Sequence, residues 1–263
     1  MSKKLTVSSI KKSKGVKPLV MITAYDALFA RLLEPSADMI LVGDSLNMSF
    51  AGCSDTISAT LEQMIYHTNA VCKGASSSFI ICDMPFGTYT DIDKALKNAI
   101  QVFQETQADC IKIEGGADKA HIIKHLTDNS IAVCGHIGLL PQSVRSEGGY
   151  KVKGKTAQEK ETLMQDAKAI EAAGAFCMVI EGTKADVAKE IAQSVSIPVI
   201  GIGAGAEVDG QVLVFSDMLG LFEEFTPKFV KKYLNGADLV KGALQEYADE
   251  VVAGTFPNEE HTY

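Results

Sequence analysis

Short apolar runs and segments with a 3.6-residue hydrophobic period alternate along this 263-residue chain. That alternation restricts it to folds built from βαβ units around a parallel sheet. The apolar runs fall at 19–24, 39–44, 79–83, 110–114, 131–136, 177–181, 198–203 and, more weakly, 212–215. Helical periods occupy 27–33, 61–73, 92–106, 119–127, 157–173 and 184–194, and a long one runs over 228–252. The runs are apolar on both faces, as strands are when helices cover one side and a packed core fills the other. A doubly wound open sheet would show the same alternation. Eight units within 263 residues favour closure into an α/β barrel of the (β/α)8, or TIM, type. The stretch 203–227 shows no clear seventh helix. No Pro/Ser-rich linker or shift in composition marks a boundary, so the chain reads as one catalytic barrel domain, 1–263, ending in a helical extension.

Composition excludes several classes. With 25 basic against 33 acidic residues the net charge is −8, and the only basic run is the short Lys11-Lys12-Ser13-Lys14 stretch, so nucleic acid is not an expected partner. No apolar run reaches membrane-spanning length and none follows the basic stretch as a signal peptide would require. The 6 cysteines show neither Cys-x-x-Cys nor zinc-type spacing, and several lie inside strand runs, where a reduced thiol acts as a small hydrophobe. The expectation is a cytoplasmic protein.

Four of the strand runs end in charge: Asp44, Asp83, Glu114 with Lys112 before it, and Glu181. Charge in apolar surroundings costs folding energy, and the C-terminal ends of parallel strands are where barrels place their chemistry. Side chains alternate along a strand, so Lys112 and Glu114 share a face, and Val42/Asp44, Ile81/Asp83, Cys134/His136 and Val179/Glu181 are expected to obey the same parity. Asp44 and Asp83 suit a hard cation such as Mg²⁺, which keeps waters and takes one or two protein carboxylates. Each aspartate alone could equally be a helix N-cap or a turn former. Glu114 is a candidate third ligand, or holds a metal-bound water. Lys112 is placed for a substrate carboxylate or a developing oxyanion, or else for a structural ion pair. His136 could donate to substrate or satisfy a carbonyl. Glu181, apart from the aspartate pair in chain order, suits a general base. Gly201-Ile202-Gly203-Ala204-Gly205 looks like a phosphate loop, but close backbone passage is the preferred explanation of its glycines. Tyr25-Asp26 and Gly148-Gly149-Tyr150-Lys151-Val152 are loop elements able to cover a site.

Several blocks carry a closer resemblance: Thr23-Ala24-Tyr25-Asp26, Leu41-Val42-Gly43-Asp44-Ser45, Tyr66-His67-Thr68, Asp83-Met84-Pro85-Phe86-Gly87, Lys112-Ile113-Glu114-Gly115-Gly116, Val133-Cys134-Gly135-His136-Ile137-Gly138-Leu139 and Pro257-Asn258-Glu259-Glu260-His261. Together with the two glycine-rich segments above, they resemble the ketopantoate hydroxymethyltransferase family from about residue 19 to the C-terminus. The resemblance implies a phosphoenolpyruvate/pyruvate-type barrel that moves a hydroxymethyl group from 5,10-methylenetetrahydrofolate to 3-methyl-2-oxobutanoate through a Mg²⁺-stabilised enolate. It makes Asp44 and Asp83 ligands of one Mg²⁺ per subunit, with Glu114 the third acid. It gives Asp44, Ser45, Asp83 and Lys112 contacts to the ketoacid, with His136 the further candidate, and makes Glu181 the proton acceptor. It also implies a cytoplasmic homo-oligomer, a decamer of two pentameric rings. Asn47 stands where the family usually has glycine, and Ile57-Ser58 replaces a common Leu-Pro; neither is a proposed ligand. A metal-dependent carbon–carbon lyase or phosphonopyruvate-type mutase on the same barrel is the competing reading, but its Lys-Cys-Gly loop motif is absent from the sequence. A non-catalytic assembly protein is the third, and it leaves the isolated Glu181 without a purpose.

Overall fold

The computed structural model describes residues 4–263. They fall into two compact units, one ending at Val214 and the other Phe215–Tyr263. The first unit holds eight strands, β1 (Leu19–Thr23), β2 (Met39–Val42), β3 (Phe79–Asp83), β4 (Cys110–Glu114), β5 (Val133–Gly138), β6 (Cys177–Glu181), β7 (Val199–Ile202) and β8 (Gly210–Leu213). Each pairs in parallel with the next, and β8 pairs with β1 through Leu19↔Gly210 to Ile22↔Leu213, so the sheet closes into a barrel. The helices of this unit are α1 (Val7–Lys12), α2 (Ala27–Leu33), the single turn α3 (Leu46–Ser49), α4 (Leu61–Gly74), α5 (Ile92–Glu105), α6 (Ala120–Asp128), the turn α7 (Val144–Glu147), α8 (Ala157–Ala172) and α9 (Ala185–Ser194). The second unit contains the turn α10 (Phe215–Met218) and α11 (Gly236–Ala253).

Local sequence starts these helices where the periodicity does. Thr60 and Thr156 each cap a helix in a reciprocal box, with Gln63 and Glu159 three residues on, and Asp26 and Asp91 accept from the amides of Phe29 and Lys94. Such a cap satisfies amides that the first helical turn leaves orphaned.

Met39, Leu41, Phe79, Ile81, Cys110, Cys134, Cys177, Val179, Ile200, Ile202 and Val212 form one buried cluster inside the barrel. Ile10 of α1, fully buried, belongs to the same cluster, and Leu5 and Val7 pack on it. Lys4 Nζ pairs with Asp109 at 2.8 Å and Lys14 Nζ with Asp209 at 2.6 Å. Those aspartates immediately precede β4 and β8, which lie four strands apart in an eight-strand ring. The segment around α1, which the strand–helix alternation does not announce, therefore stretches across the N-terminal end of the barrel and pushes Ile10 into it. Burying such a side chain contributes roughly 1.5–3 kcal/mol, more than the two partly exposed ion pairs supply.

Four expectations are corrected. The interior residues of β2 are Met39 and Leu41, so Val42 faces the helices and Asp44 lies beyond the strand end; it reaches the rim by a turn and not by strand parity. The fifth strand starts at Val133, two residues later than expected, and continues to Gly138. The eighth strand begins at Gly210 and not 212, and residues 203–209 return the chain without a helix. Four residues of β7 rise only about 13 Å, which seven extended residues can retrace. Gly205 lies at φ +85°, and a Cβ there would meet Ala185 Cβ at 2.5 Å, so these glycines serve close passage; no helix N-terminus follows to bind phosphate. The C-terminal helix begins at Gly236, eight residues after the expected 228. The intervening chain is held instead by Tyr233, Gly236 and Ala237 amides donating to Met218, Leu219 and Gly220 carbonyls at 2.7, 2.9 and 3.0 Å. In α11 only Gly236 and Ala237 are buried. Among the described residues no helix is long and apolar enough to cross a membrane.

Candidate active site

Strand register brings the charged residues together. Asp83 is the Cα partner of Lys112, Glu114 of His136, and Gly138 of Glu181, so carboxylates and cations alternate across β3 to β6 at the C-terminal rim. Lys112 Nζ lies 2.7 Å from Asp83 Oδ1, 3.6 Å from Glu114 Oε1 and 3.2 Å from His136 Nδ1. His136 Nδ1 is 3.5 Å from Glu114 Oε1, and its Nε2 is 3.4 Å from Glu181 Oε2. The backbone amide of Asp44 donates to Asp83 Oδ2 at 3.3 Å, which joins the turn after β2 to the group. The structure thus brings Asp44, Asp83, Lys112, Glu114, His136 and Glu181 into one connected set. Neither Asp44 nor Asp83 caps a helix. Ser45 stands beside the set rather than in it, with its Oγ 2.8 Å from the Tyr25 hydroxyl.

Charge is unevenly compensated here. Burial raises the Asp44 carboxyl well above the usual range, and the neighbouring Asp83 and Glu114 charges raise it further. Burial likewise raises Asp83, although Lys112 opposes it. For Glu114 burial is outweighed by Lys112 and by His136, and the group stays below its ordinary value. Burial works against the charge on Lys112, yet Asp83, Glu114 and Asp44 outweigh it and raise its pKa. Burial and Lys112 also oppose a charge on His136, but Glu114 and Glu181 push it up to about 9. Two cationic side chains, Lys112 and His136, face four carboxylates, and the crowding of acids falls hardest on Asp44. A divalent cation there would remove the repulsion that raises Asp44. Among the described residues no three His, Cys, Asp or Glu side chains are grouped so as to hold an ion by themselves. The donor chemistry of the Asp44 and Asp83 carboxylates is that of a hard cation, which can complete its shell with water and substrate oxygens.

Glu181 differs in access: its side chain is 19% exposed, against 3% for Asp83, Glu114 and His136. It is the most exposed of these carboxylates. It is not solitary, as its place in the chain implies, because His136 faces it.

Sequence reading missed Gln142 and Tyr89. Gln142 lies on the 3₁₀ turn Pro141–Ser143 after β5, donates from Nε2 to Asp44 Oδ2 and to the Met84 carbonyl, both at 2.9 Å, and from its backbone amide to Glu114 Oε2 at 3.0 Å. Tyr89 donates to its Oε1. Neither sits in a periodic segment, and the only available signal was position, since both follow strands at their C-terminal ends. Beside them is a cavity of about 190 Å³ lined by Phe86, Tyr89, Glu114, Lys119, Leu140 and Gln142 among others. A larger depression of about 530 Å³ lies on the outer surface of α5 and contains none of the rim residues.

A closed parallel barrel with acids and a lysine gathered at its C-terminal mouth is a TIM barrel with the layout of an enzyme, and solved structures share its fold. Phosphonopyruvate hydrolase, solved in complex with oxalate and Mg²⁺, has a TM-score of 0.62 at 13% identity, covering 98% of this chain and 93% of that one. For 2,3-dimethylmalate lyase, a member of the PEP mutase/isocitrate lyase superfamily, the TM-score is 0.60 at 17% identity, covering 98% and 92%. Sequence narrows the class further: residues 4–259 match the ketopantoate hydroxymethyltransferase model, and the chain belongs to that family. It is 78% identical over 263 residues to the 3-methyl-2-oxobutanoate hydroxymethyltransferase of Sulfurimonas denitrificans, covering 100% of both. It is 65% identical to that of Aliarcobacter butzleri, covering 99% of this chain and 97% of the relative. The chain is accordingly an enzyme of the hydroxymethyltransferase class.

Proposed function

We propose that this enzyme transfers a hydroxymethyl group from 5,10-methylenetetrahydrofolate to 3-methyl-2-oxobutanoate, giving ketopantoate for pantothenate synthesis. The observation that carries the reading is the separation of roles at the rim: a buried acid–lysine group, Asp83 with Lys112 at 2.7 Å, beside the more exposed carboxylate of Glu181. A 2-ketoacid needs positive charge at its carboxylate and carbonyl, and a base near C3.

Asp44 and Asp83 are the residues that would hold Mg²⁺, with Glu114 the third acid behind them. When bound, the cation supplies Lewis-acid polarisation of the keto group. Lys112 offers a second positive charge toward the ketoacid. Ser45 and His136 complete the set of groups that orient it. Glu181 accepts the C3 proton as the C–H bond breaks. The C3 carbon then forms a bond to the folate-borne methylene as one of its two C–N bonds breaks, a water oxygen replaces the second nitrogen on that carbon, the two released nitrogens take up the proton removed from C3 and one from the water, and ketopantoate and tetrahydrofolate leave. The cavity beside Glu114 is open space next to this chemistry.

The same reading makes the chain a single barrel domain with a C-terminal extension and a cytoplasmic homo-oligomer, a decamer of two pentamers. Six unpaired cysteines support a reducing compartment. Leu239, Leu244 and Val252, at 60%, 62% and 89% exposure, are more apolar surface than a helix of a lone subunit usually leaves bare, and they support assembly. The test is incubation with 3-methyl-2-oxobutanoate, methylenetetrahydrofolate and Mg²⁺, with the product identified by mass. Failure to form ketopantoate would overturn the reading.

A further inference from the structure

Gln142 commits its whole side-chain amide and its backbone N–H to the site. Its side chain accepts one hydrogen bond and donates two, and its backbone amide donates a third to Glu114. It is 5% exposed, and Tyr89 is 6% exposed. The orientation of the amide is settled by its neighbours. The Met84 carbonyl only accepts, so the nitrogen must face it, and the same nitrogen then meets Asp44 Oδ2. The carbonyl end is left facing Tyr89, which donates to it. Burial, together with the negative charges of Glu114, Asp83 and Asp44, raises the tyrosine pKa well above its ordinary value, so the hydroxyl keeps its proton.

We propose that Tyr89 and Gln142 are positioning residues: the Tyr89 hydroxyl fixes the direction of the Gln142 amide, and that amide pins one oxygen of Asp44 while the other is left for the divalent cation. The proposal rests on the reading of Asp44 as a cation ligand. An amide turned over would set its oxygen against Asp44 Oδ2 and the Met84 carbonyl, two acceptors facing an acceptor. Without Tyr89 the amide keeps only the Met84 carbonyl and Asp44 itself as partners, and its hold on Asp44 loosens.

The experiment titrates Mn²⁺, followed by electron paramagnetic resonance, into the full-length protein with 3-methyl-2-oxobutanoate present. The proteins compared are the unsubstituted chain, Tyr89→Phe, Gln142→Glu and the double variant, each checked for folding by circular dichroism. Tyr89→Phe is expected to weaken Mn²⁺ binding roughly 10-fold, the common effect of removing a group that orients a metal ligand. The loss should appear in the apparent affinity for the cation more than in kcat at saturation, because Glu181 is untouched. In the Gln142→Glu background Tyr89→Phe should add nothing, since the tyrosine acts through the amide. Should Gln142→Glu misfold, Gln142→Asn, which withdraws the amide but keeps the backbone donor to Glu114, replaces it with the same expectation. Unchanged Mn²⁺ affinity in Tyr89→Phe, or fully additive losses in the double variant, would overturn the clamp alone. No Mn²⁺ binding by the unsubstituted chain would overturn the reading of Asp44, and the clamp with it.

Discussion

His136 and Glu181 face one another from adjacent strands, with Nε2 3.4 Å from Oε2, and the ring turns its other nitrogen to Lys112 at 3.2 Å. The imidazole is the link between the group that would bind the ketoacid and the carboxylate that would deprotonate it. Its elevated pKa, about 9, makes it a cation beside Glu181 near neutral pH.

Exchanging Glu181 for glutamine separates binding from proton removal. Glu181→Gln is expected to keep ketoacid and Mg²⁺ affinity nearly unchanged while turnover falls by roughly 10²-fold or more, the usual contribution of a positioned base. The unsubstituted enzyme should exchange the C3 hydrogen of 3-methyl-2-oxobutanoate with deuterated water when Mg²⁺ is present, and the variant should lose that exchange. Exchange at the normal rate in Glu181→Gln would move the base elsewhere on the rim, with His136 next to be tested.

Asp83→Ala removes a carboxylate from the cation's surroundings and strands Lys112, whose remaining acidic partner, Glu114, is 3.6 Å away. Metal-dependent ketoacid binding should vanish in calorimetric titration. Stability should fall as well, by about 3–5 kcal/mol, because a buried charge is left without its closest partner. Denaturant unfolding reads the second effect. Unaltered ketoacid affinity would remove Asp83 from the metal's surroundings.

Thiol chemistry reports the core directly. Cys72, Cys82, Cys110, Cys134 and Cys177 are buried, whereas Cys53 is half-buried, and burial pushes the Cys82 thiol up to about 12. Native protein treated with a maleimide should be labelled at Cys53 alone, and denatured protein at all 6 cysteines. Rapid native labelling of more than one thiol, counted by mass, would contradict the packing described for the barrel.

Assembly can be tested by removing the C-terminal segment. A chain ending before Lys228 lacks α11 and its exposed Leu239, Val240 and Leu244. Light scattering should show a smaller particle than the full chain forms. Retention of the full-length size would exclude this segment from the subunit contacts.

What could be read from the residues depended on regularity. Lys112, Glu114, Asp83 and Glu181 lie within strands, where a period of two forces side chains to one face or the other, and their convergence follows from the apolar residues between them. Asp44 reaches the same place from outside β2, and a turn has no period, so strand parity put it at the rim for a wrong reason. Gln142 and Tyr89 were invisible because their roles depend on loops from separate strands meeting in space. The start of α11 was misplaced because residues 228–235 have helical hydrophobicity, yet the Tyr233 amide, like those of Gly236 and Ala237 that open α11, donates to a carbonyl in 218–220. Ile10 looked like an ordinary apolar residue near the N-terminus, and only a closed ring of strands gives it an interior to fill.

With Ile10 lodged at its N-terminal end and side chains filling the ring above it, the barrel is a plug and not a tube. In the proposed reaction nothing passes through it: the rim residues stand on a solid floor, and the end of the barrel farthest from the chemistry serves only to hold the strands at the spacing that the rim requires.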